Sequence, residues 1–266
     1  MNSFFSTLGR IGGIASLMLS IGTQALAADL VVGANIGNVP WEFQDGSGEF
    51  VGFEIDLAKE VGARLNRPVE VVNIPFNGLF SAVQSGRIDI AVSSITITEK
   101  RLASVAFVQP YYDSAQSLTV LSKSNATSLE DMRGKVVGVD TGSTGDMWTT
   151  SMQDKYAFDD IRRFEGLAPA MLDMQTGRID GYISDIPSLE YFIKDKPYFK
   201  VIERIETGER YSMMLAKNNP LVDEVDAIIT TLKQEGFVAE LHKQWFGTVA
   251  ADASSTVTVT ERPATR

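Results

Sequence analysis

Short apolar runs alternate along this chain with longer patterns of helical spacing. Residues 30–35 form an apolar run that ends in a polar residue, which predicts a buried strand. Apolar positions recur at helical spacing through residues 55–65, and a strand at 69–74, a short helix before Gly86 and a strand at 88–92 follow. This order is typical of a mainly parallel sheet covered by helices.

The same order returns in the second half of the chain. The predicted strands are 135–139, 161–164 and 179–184, and the predicted helices are 128–131, 146–155 and 169–175. The last predicted elements are a helix at 188–193, strands at 199–205 and 211–215, and a long amphipathic pattern at 221–245. Residues 41–53 read as a hairpin around a DGSG turn, and we interpret this hairpin as an insertion in the first half.

Two segments of the first half recur in the second half with few changes. The sequence QSGRID at residues 84–89 returns as QTGRID at 175–180, and VVGANIG at 31–37 resembles VVGVDTG at 136–142. Because both pairs occur in the same order, we predict two similar lobes. A cleft between lobes is a usual place for a small ligand.

Alignment of the two halves pairs polar residues at the ends of equivalent strands. Ser94 falls opposite Asp185, and Asn35 falls opposite Asp140. We therefore expect these strand ends to face each other across the cleft.

Composition excludes several kinds of chemistry. The 266 residues include no cysteine and one histidine, His242, so thiolate and multi-histidine metal sites are excluded, and we expect no metal or cofactor. The formal net charge of −10 argues against nucleic acid or anionic lipid as a partner.

The first 27 residues read as a secretory signal. Arg10 precedes an apolar stretch at 11–21, and small residues at 25–27 form a cleavage motif. A membrane anchor is the alternative, but the apolar stretch is short for a membrane span. We expect export to the periplasm and no insertion into the membrane. At the other end, residues 248–266 are rich in threonine, alanine and serine, which predicts a flexible tail.

Several motifs resemble those of the family 3 periplasmic solute-binding proteins, the polar amino-acid receptors of ABC importers. They are GFEIDLA at 52–58, SSITITEKR at 93–101, PYY at 110–112, KVVGV at 135–139, GST at 142–144 and QWFG at 244–247. The resemblance covers roughly residues 29–247.

The resemblance implies an α/β protein with the two-lobed, type II periplasmic-binding-protein fold. Two hinge strands would cross between the lobes near residues 111–115 and 208–211. The first lobe would comprise residues 29–110 plus 212–247, and the second lobe residues 116–207.

A free amino acid presents a carboxylate and an ammonium, and each needs a partner when water is excluded. Arg101 is the expected carboxylate partner, because its planar fork matches two oxygens. Asp185 is the expected ammonium partner, as the resemblance also implies. Ser94, Thr96 and Thr144 would add contacts from both lobes. The alternatives are a surface role for Arg101, an N-cap role for Asp185 and strand-end capping by the hydroxyl groups.

The side-chain end of the ligand is expected to meet Phe76, Asn35, Asn38 and Asp140. Phe76 matches a position that packs on the ligand, although a plain core role is the alternative. Asn35 and Asn38 stand where many relatives have an acid and an aromatic residue. An acid at Asp140 favours a polar or basic amino acid, or a derivative such as an opine, unless it pairs with a lysine or caps a turn.

These observations predict the substrate-binding component of an ABC importer. It would act as a monomer and deliver an amino acid to a membrane permease. One alternative is a dehydratase of the cyclohexadienyl type on the same scaffold, for which Glu42, Asp140 and Glu165 are loose carboxylates without a catalytic signature. The other alternative is a ligand-sensing receptor partner. We expect a binding protein and not an enzyme.

Overall fold

The computed structural model describes residues 28–264, so the predicted signal at 1–27 lies outside the described residues. Within the described part, no helix has the length and apolar character needed to cross a membrane. The chain forms two five-stranded sheets and a two-stranded hairpin.

The strands follow one another along the whole described chain. In chain order they are β1 (Leu30–Ala34), β2 (Phe43–Gln44), β3 (Phe50–Val51), β4 (Val69–Asn73), β5 (Ile90–Val92), β6 (Val105–Phe107), β7 (Tyr112–Leu121), β8 (Val136–Asp140), β9 (Asp160–Phe164), β10 (Gly181–Asp185), β11 (Phe199–Tyr211) and β12 (Met214–Ala216). β2 and β3 form the predicted hairpin.

Helices separate most of these strands. They are α1 (Phe53–Arg64), α2 (Phe76–Gln84), α3 (Glu99–Leu102), α4 (Thr144–Ser151), α5 (Gln153–Tyr156), α6 (Leu167–Gln175), α7 (Ile186–Ile193), α8 (Val222–Gln234) and α9 (Phe237–Phe246), with a 3-10 turn at Leu129–Met132. The alternation predicted from the hydrophobic pattern is confirmed.

The first sheet has the strand order β4-β1-β5-β12-β6. β1 runs parallel to β4 and β5, whereas β12 is antiparallel to β5 and β6. Val32 and Ala34 on β1 are fully buried, because helices cover the sheet. We call this sheet, together with α1 to α3, α8 and α9, lobe one.

The second sheet has the strand order β11-β7-β10-β8-β9. β8 runs parallel to β9 and β10, and β7 is antiparallel to β10 and β11. We call this sheet, together with α4 to α7, lobe two. The predicted two-lobed α/β fold is confirmed, while the exact ends of the lobes stay a prediction.

The repeated segment, QSGRID at 84–89 and QTGRID at 175–180, has the same structural role in both lobes. Each copy ends a helix through a glycine with positive φ, 71° at Gly86 and 73° at Gly177. The aspartate that follows accepts a backbone hydrogen bond from an interior strand of its sheet, β1 in lobe one and β8 in lobe two. Asp89 Oδ2 accepts from Val31 N at 2.9 Å, and the equivalent bond in lobe two, Asp180 Oδ2 from Val136 N, is 3.0 Å. The repeat therefore ties each helix to its sheet.

Two long strands connect the lobes. β7 and β11 pair from Phe199 and Leu121 in lobe two as far as Tyr112 and Tyr211. Their register shifts between Ile205 and Glu209, where Gly208 adopts a φ of 64°. Beyond this shift the backbone joins lobe one, because Ile97 N donates to Arg210 O at 2.9 Å. These are the predicted hinge strands.

Two long segments of helical pattern are each divided in the structure. The amphipathic pattern at 221–245 forms α8 and α9, because Gly236 between them adopts a left-handed φ of 77°. The predicted helix at 146–155 forms α4 and α5, with the break at Met152. The prediction of a single helix was wrong at 146–155.

The segment after Gly247 differs from the flexible tail that its composition predicted. Ser255 and Thr256 are buried. Ser255 N donates to Asp113 Oδ2 at 2.7 Å, and Thr256 Oγ1 donates to Tyr111 O at 3.0 Å. The buried Lys233 ammonium donates to the carbonyl oxygen of Thr258 at 2.9 Å. Composition could not indicate this packing, because the partners are distant in sequence.

We expect removal of residues 250–266 to lower the free energy of unfolding by about 2–4 kcal/mol, because Tyr111 loses a buried hydrogen bond and Lys233 and Asp113 lose partly buried ones. Urea denaturation measures the change. Removal of residues 262–266 alone is the control and should have little effect, since Arg262 forms only an exposed pair with Asp223. Equal stability of both truncated proteins would contradict a structural role for the segment.

Candidate functional site

One cleft between the lobes contains all the site residues predicted from sequence. From lobe one and lobe two together it is lined by Asn35, Asn38, Phe76, Ser94, Thr96, Arg101, Asp140, Thr144 and Asp185, among others. The alignment of repeats placed the strand ends correctly, because β5 ends just before Ser94 and β10 ends at Asp185.

Arg101 is a buried cation whose hydrogen-bond partners are neutral. The residue lies in α3, where Thr98 Oγ1 accepts from the backbone N of Arg101 at 3.2 Å, and it is only 7% exposed. The guanidinium donates to Thr96 O at 2.7 Å and to Gly142 O at 3.3 Å. It lies over the ring of Phe76, 5.4 Å from the centroid.

The charge of Arg101 is not matched by an ion pair anywhere in residues 28–264. Burial lowers its pKa to about 10, although the charges of Glu209 and Asp185 oppose this shift. Arg101 therefore stays charged at neutral pH, and an anion in the cleft could form an ion pair with it.

Asp185 is the counterpart of Arg101 on lobe two. Its Oδ1 accepts from Gln116 Nε2 at 2.5 Å, and its Oδ2 accepts from Ser94 Oγ at 3.3 Å across the cleft. Burial, reinforced by the charge of Glu209, raises the pKa of Asp185 well above its ordinary value. A cation in the cleft would favour its ionised form.

Ser94 is held in an unusual backbone conformation. Its φ of 44° lies in the left-handed region, which is unfavourable for a residue with a side chain. Ser94 N donates to Glu54 Oε2 at 2.7 Å, and Asn38 Nδ2 donates to Ser94 Oγ at 3.1 Å. Together these bonds direct the Ser94 hydroxyl toward Asp185.

The lobes touch directly at the cleft. Ser188 Oγ of lobe two donates to Asn38 Oδ1 at 2.9 Å and accepts from Trp41 Nε1 at 3.0 Å. The hydroxyl oxygens of Thr96 and Thr144, from opposite lobes, are 3.4 Å apart. Thr144 begins α4, whose N-cap Ser143 accepts from Asp146 N at 3.0 Å. The structure is therefore a closed form of the two lobes.

Asp140 ends β8 and adds a second carboxylate on lobe two. It forms no ion pair with any residue between 28 and 264, so the proposed lysine partner is absent from that part of the chain. Burial raises its pKa to about 6, and the charge of Glu165, which also lines the cleft, adds to the shift. Asn35 and Phe76 line the same cleft from lobe one.

Glu42, one of the loose carboxylates, does not line the cleft. It is fully buried in lobe one, where its Oε1 accepts from Ser93 Oγ at 2.7 Å and from Asn38 Nδ2 at 3.0 Å. Burial and the charge of Glu54 raise its pKa well above the ordinary value.

Sequence reasoning missed two polar residues of the hinge strands, Gln116 and Glu209. Gln116 Nε2 donates to Asp185 and, at 3.0 Å, to both oxygens of the Glu209 carboxylate. Glu209 fell inside the predicted second crossing at 208–211. A charged residue in a strand that crosses between lobes was the available signal.

Comparison with known proteins matches this sequence and fold to one family. The sequence profile of the bacterial extracellular solute-binding proteins, family 3, matches residues 30–248. The chain belongs to this family. It is 25% identical over 240 residues to ABC transporter arginine-binding protein 1 of Escherichia coli (strain K12), covering 88% of this chain and 97% of that protein.

Other relatives of this family 3 protein have similar coverage. It is 30% identical over 243 residues to the histidine-binding periplasmic protein of Escherichia coli (strain K12), covering 86% of this chain and 93% of that protein. A solved structure of an ancestral arginine-binding protein bound to arginine is 30% identical and superimposes with a TM-score of 0.79, covering 84% of this chain and 100% of that one. These similar proteins are binding proteins.

We expect Asp140→Asn to stabilise the ligand-free protein. The pKa of Asp140, about 6 in the folded state, lies above its ordinary value of 3.8. The folded state therefore binds the proton more readily, and the ionised carboxylate costs stability as the pH rises from about 4 to 6. At about 1.4 kcal/mol per pKa unit, the substitution should add up to about 3 kcal/mol to the free energy of unfolding at pH 8, and less as the pH falls toward 4.

Urea denaturation across this pH range measures the effect. Asp195→Asn, which removes an exposed carboxylate from the same lobe, is the matched control and should change little. Destabilisation by Asp140→Asn at pH 8 would contradict the prediction that the ionised carboxylate lowers the stability of the folded protein.

Proposed function

We propose that this protein is the periplasmic substrate-binding component of an ABC importer and that it captures a basic amino acid. The observation that carries the proposal is the placement of Arg101 and Asp185. These opposite charges flank one cleft from opposite lobes, and neither forms an ion pair within residues 28–264.

The backbone groups of an amino acid fit these two charges. The α-carboxylate would accept from the Arg101 guanidinium, with the Thr96 and Thr144 hydroxyls beside it. The α-ammonium would donate to Asp185 and to Ser94 Oγ. A ligand held in this way contacts both lobes at once, so it stabilises the closed form over an open one.

The remaining charges favour a cationic side chain. Once a zwitterion has neutralised Arg101 and Asp185, Asp140 and Glu165 still line the cleft as carboxylates. A guanidinium, ammonium or imidazolium group would offset this excess and could lie against the ring of Phe76. The names of the similar proteins, arginine-binding and histidine-binding, support this class of ligand.

The biological setting follows from the same proposal. We propose that residues 1–27 direct export, that the mature protein works as a monomer in the periplasm, and that the closed, loaded form delivers its ligand to a membrane permease. We also propose that it is not an enzyme. Glu42, a carboxylate considered for acid–base chemistry, is sealed inside lobe one and cannot reach a ligand in the cleft without rearrangement.

We expect Arg101→Ala and Asp185→Asn each to weaken binding of the best ligand by about 2–5 kcal/mol, because each leaves a buried charge of the ligand unpaired. This loss corresponds to roughly 30-fold to several thousandfold in Kd. A thermal-shift screen of the common amino acids and ornithine should first identify the ligand, since binding to the native state raises its stability. Titration calorimetry then measures each variant.

Arg87→Ala is the matched control, because Arg87 is an exposed arginine of lobe one away from the cleft, and its Kd should equal that of the wild type. Unchanged affinity in both cleft variants would contradict the proposed site. A screen in which only neutral or acidic amino acids stabilise the protein would contradict the proposed ligand class.

A further inference from the structure

The hinge contains a buried carboxylate that the proposed contacts do not use. Glu209 lies on β11 directly after Gly208 and is 4% exposed. It does not line the cleft. Its carboxylate accepts from Gln116 Nε2 at 3.0 Å and from Thr96 Oγ1 at 3.3 Å, and no ion pair within residues 28–264 includes it. Burying such a charge is costly, so its position calls for a physical reason.

One amide nitrogen joins this carboxylate to the cleft. Gln116 Nε2 contacts Asp185 Oδ1 at 2.5 Å and both Glu209 oxygens at 3.0 Å. The two carboxylates therefore lie within two hydrogen-bond lengths of each other. Two negative charges at that separation repel strongly in a site with little water.

The two carboxylates belong to opposite sides of the hinge. Asp185 is paired with Gln116 in the sheet of lobe two. Glu209 lies beyond the register shift of β11, beside Arg210, whose carbonyl oxygen binds Ile97 N of lobe one. Rotation of one lobe against the other about this shift would change the distance between the carboxylates. Opening of the lobes would therefore separate the two carboxylates, which in this closed form contact the same amide nitrogen.

We propose that Glu209 makes closure of the lobes depend on a cation. Its repulsion of Asp185 disfavours the closed form, and a ligand ammonium placed between the lobes at Asp185 offsets that repulsion. Glu209 does not touch the ligand and is therefore a positioning residue that acts through Asp185 and Gln116. The proposal rests on the proposed function only in assigning the ammonium to Asp185.

The other charged and titratable groups around the pair have defined effects. Arg101 on α3 attracts both carboxylates. A bound ligand would neutralise the Arg101 charge with its own carboxylate and so weaken this attraction. The Tyr211 hydroxyl on β11 favours the ionised form of Asp185, and Asp140 on β8 adds further repulsion. Since the charge of Glu209 contributes to the raised pKa of Asp185, acidification should protonate Asp185 and remove the repulsion.

The test measures lobe closure in the absence of any amino acid. The chain has no cysteine, so Ser81→Cys on α2 and Leu172→Cys on α6 place one label on an exposed position of each lobe. Single-molecule energy transfer at pH 8 then gives the ratio of closed to open molecules. We expect Glu209→Gln to raise this ratio roughly tenfold, because one of two repelling charges is removed.

Glu206→Gln is the matched control. It removes a carboxylate from the same strand, but Glu206 is exposed and pairs with Arg204, so the ratio should stay at the wild-type value. Glu209→Asp keeps the charge and should also remain close to the wild type. A Glu209→Gln protein with the wild-type ratio would overturn the proposal.

A second measurement applies if Glu209→Gln does not fold. Acidification of the labelled wild-type protein from pH 8 to pH 5 should then raise the closed fraction, and an unchanged distribution would overturn the proposal. Both measurements are made without ligand. Failure of the amino-acid screen would therefore count against the proposed function alone, whereas an unchanged distribution counts against the role of Glu209 alone.

Discussion

Two unpaired charges facing one cleft are the constraint on which the site depends. Arg101 is buried with only neutral partners, and the partly buried Asp185 accepts from an amide and a hydroxyl group. Within residues 28–264 neither charge has an ion-pair partner. Folding therefore leaves an electrostatic cost in the cleft, which a ligand that carries both charges can offset.

The doubled architecture brings these charges together. Each lobe presents the carboxyl ends of its parallel strands to the cleft, so Ser94 and Asp185 meet although they are 91 positions apart. The repeated QSGRID and QTGRID segments do not line the cleft. They connect helix to sheet through Asp89 and Asp180. The hinge strands then make the separation of the lobes adjustable, which couples the ligand charges to the movement.

The sequence predicted the parts that depend on local pattern and on recurring motifs. Hydrophobic spacing located most strands, and the repeat located Ser94 and Asp185 at equivalent strand ends. The contacts of Gln116 and Glu209 could not be predicted, because they depend on a register shift between Ile205 and Glu209. The packing of Ser255 and Thr256 was missed because it depends on distant partners, Asp113 and Tyr111. The helix break at Met152 was missed because the predicted helical pattern continues across it.

Paired recognition of both backbone charges is the central claim, and changing the ligand tests it without perturbing the protein. Titration calorimetry would compare L-arginine with agmatine, which lacks the carboxylate, and with the deaminated acid, which lacks the ammonium. We expect each analogue to bind at least roughly 30-fold more weakly than arginine, about 2 kcal/mol, because Arg101 or Asp185 would stay unpaired. Agmatine or the deaminated acid binding as tightly as arginine would contradict the account.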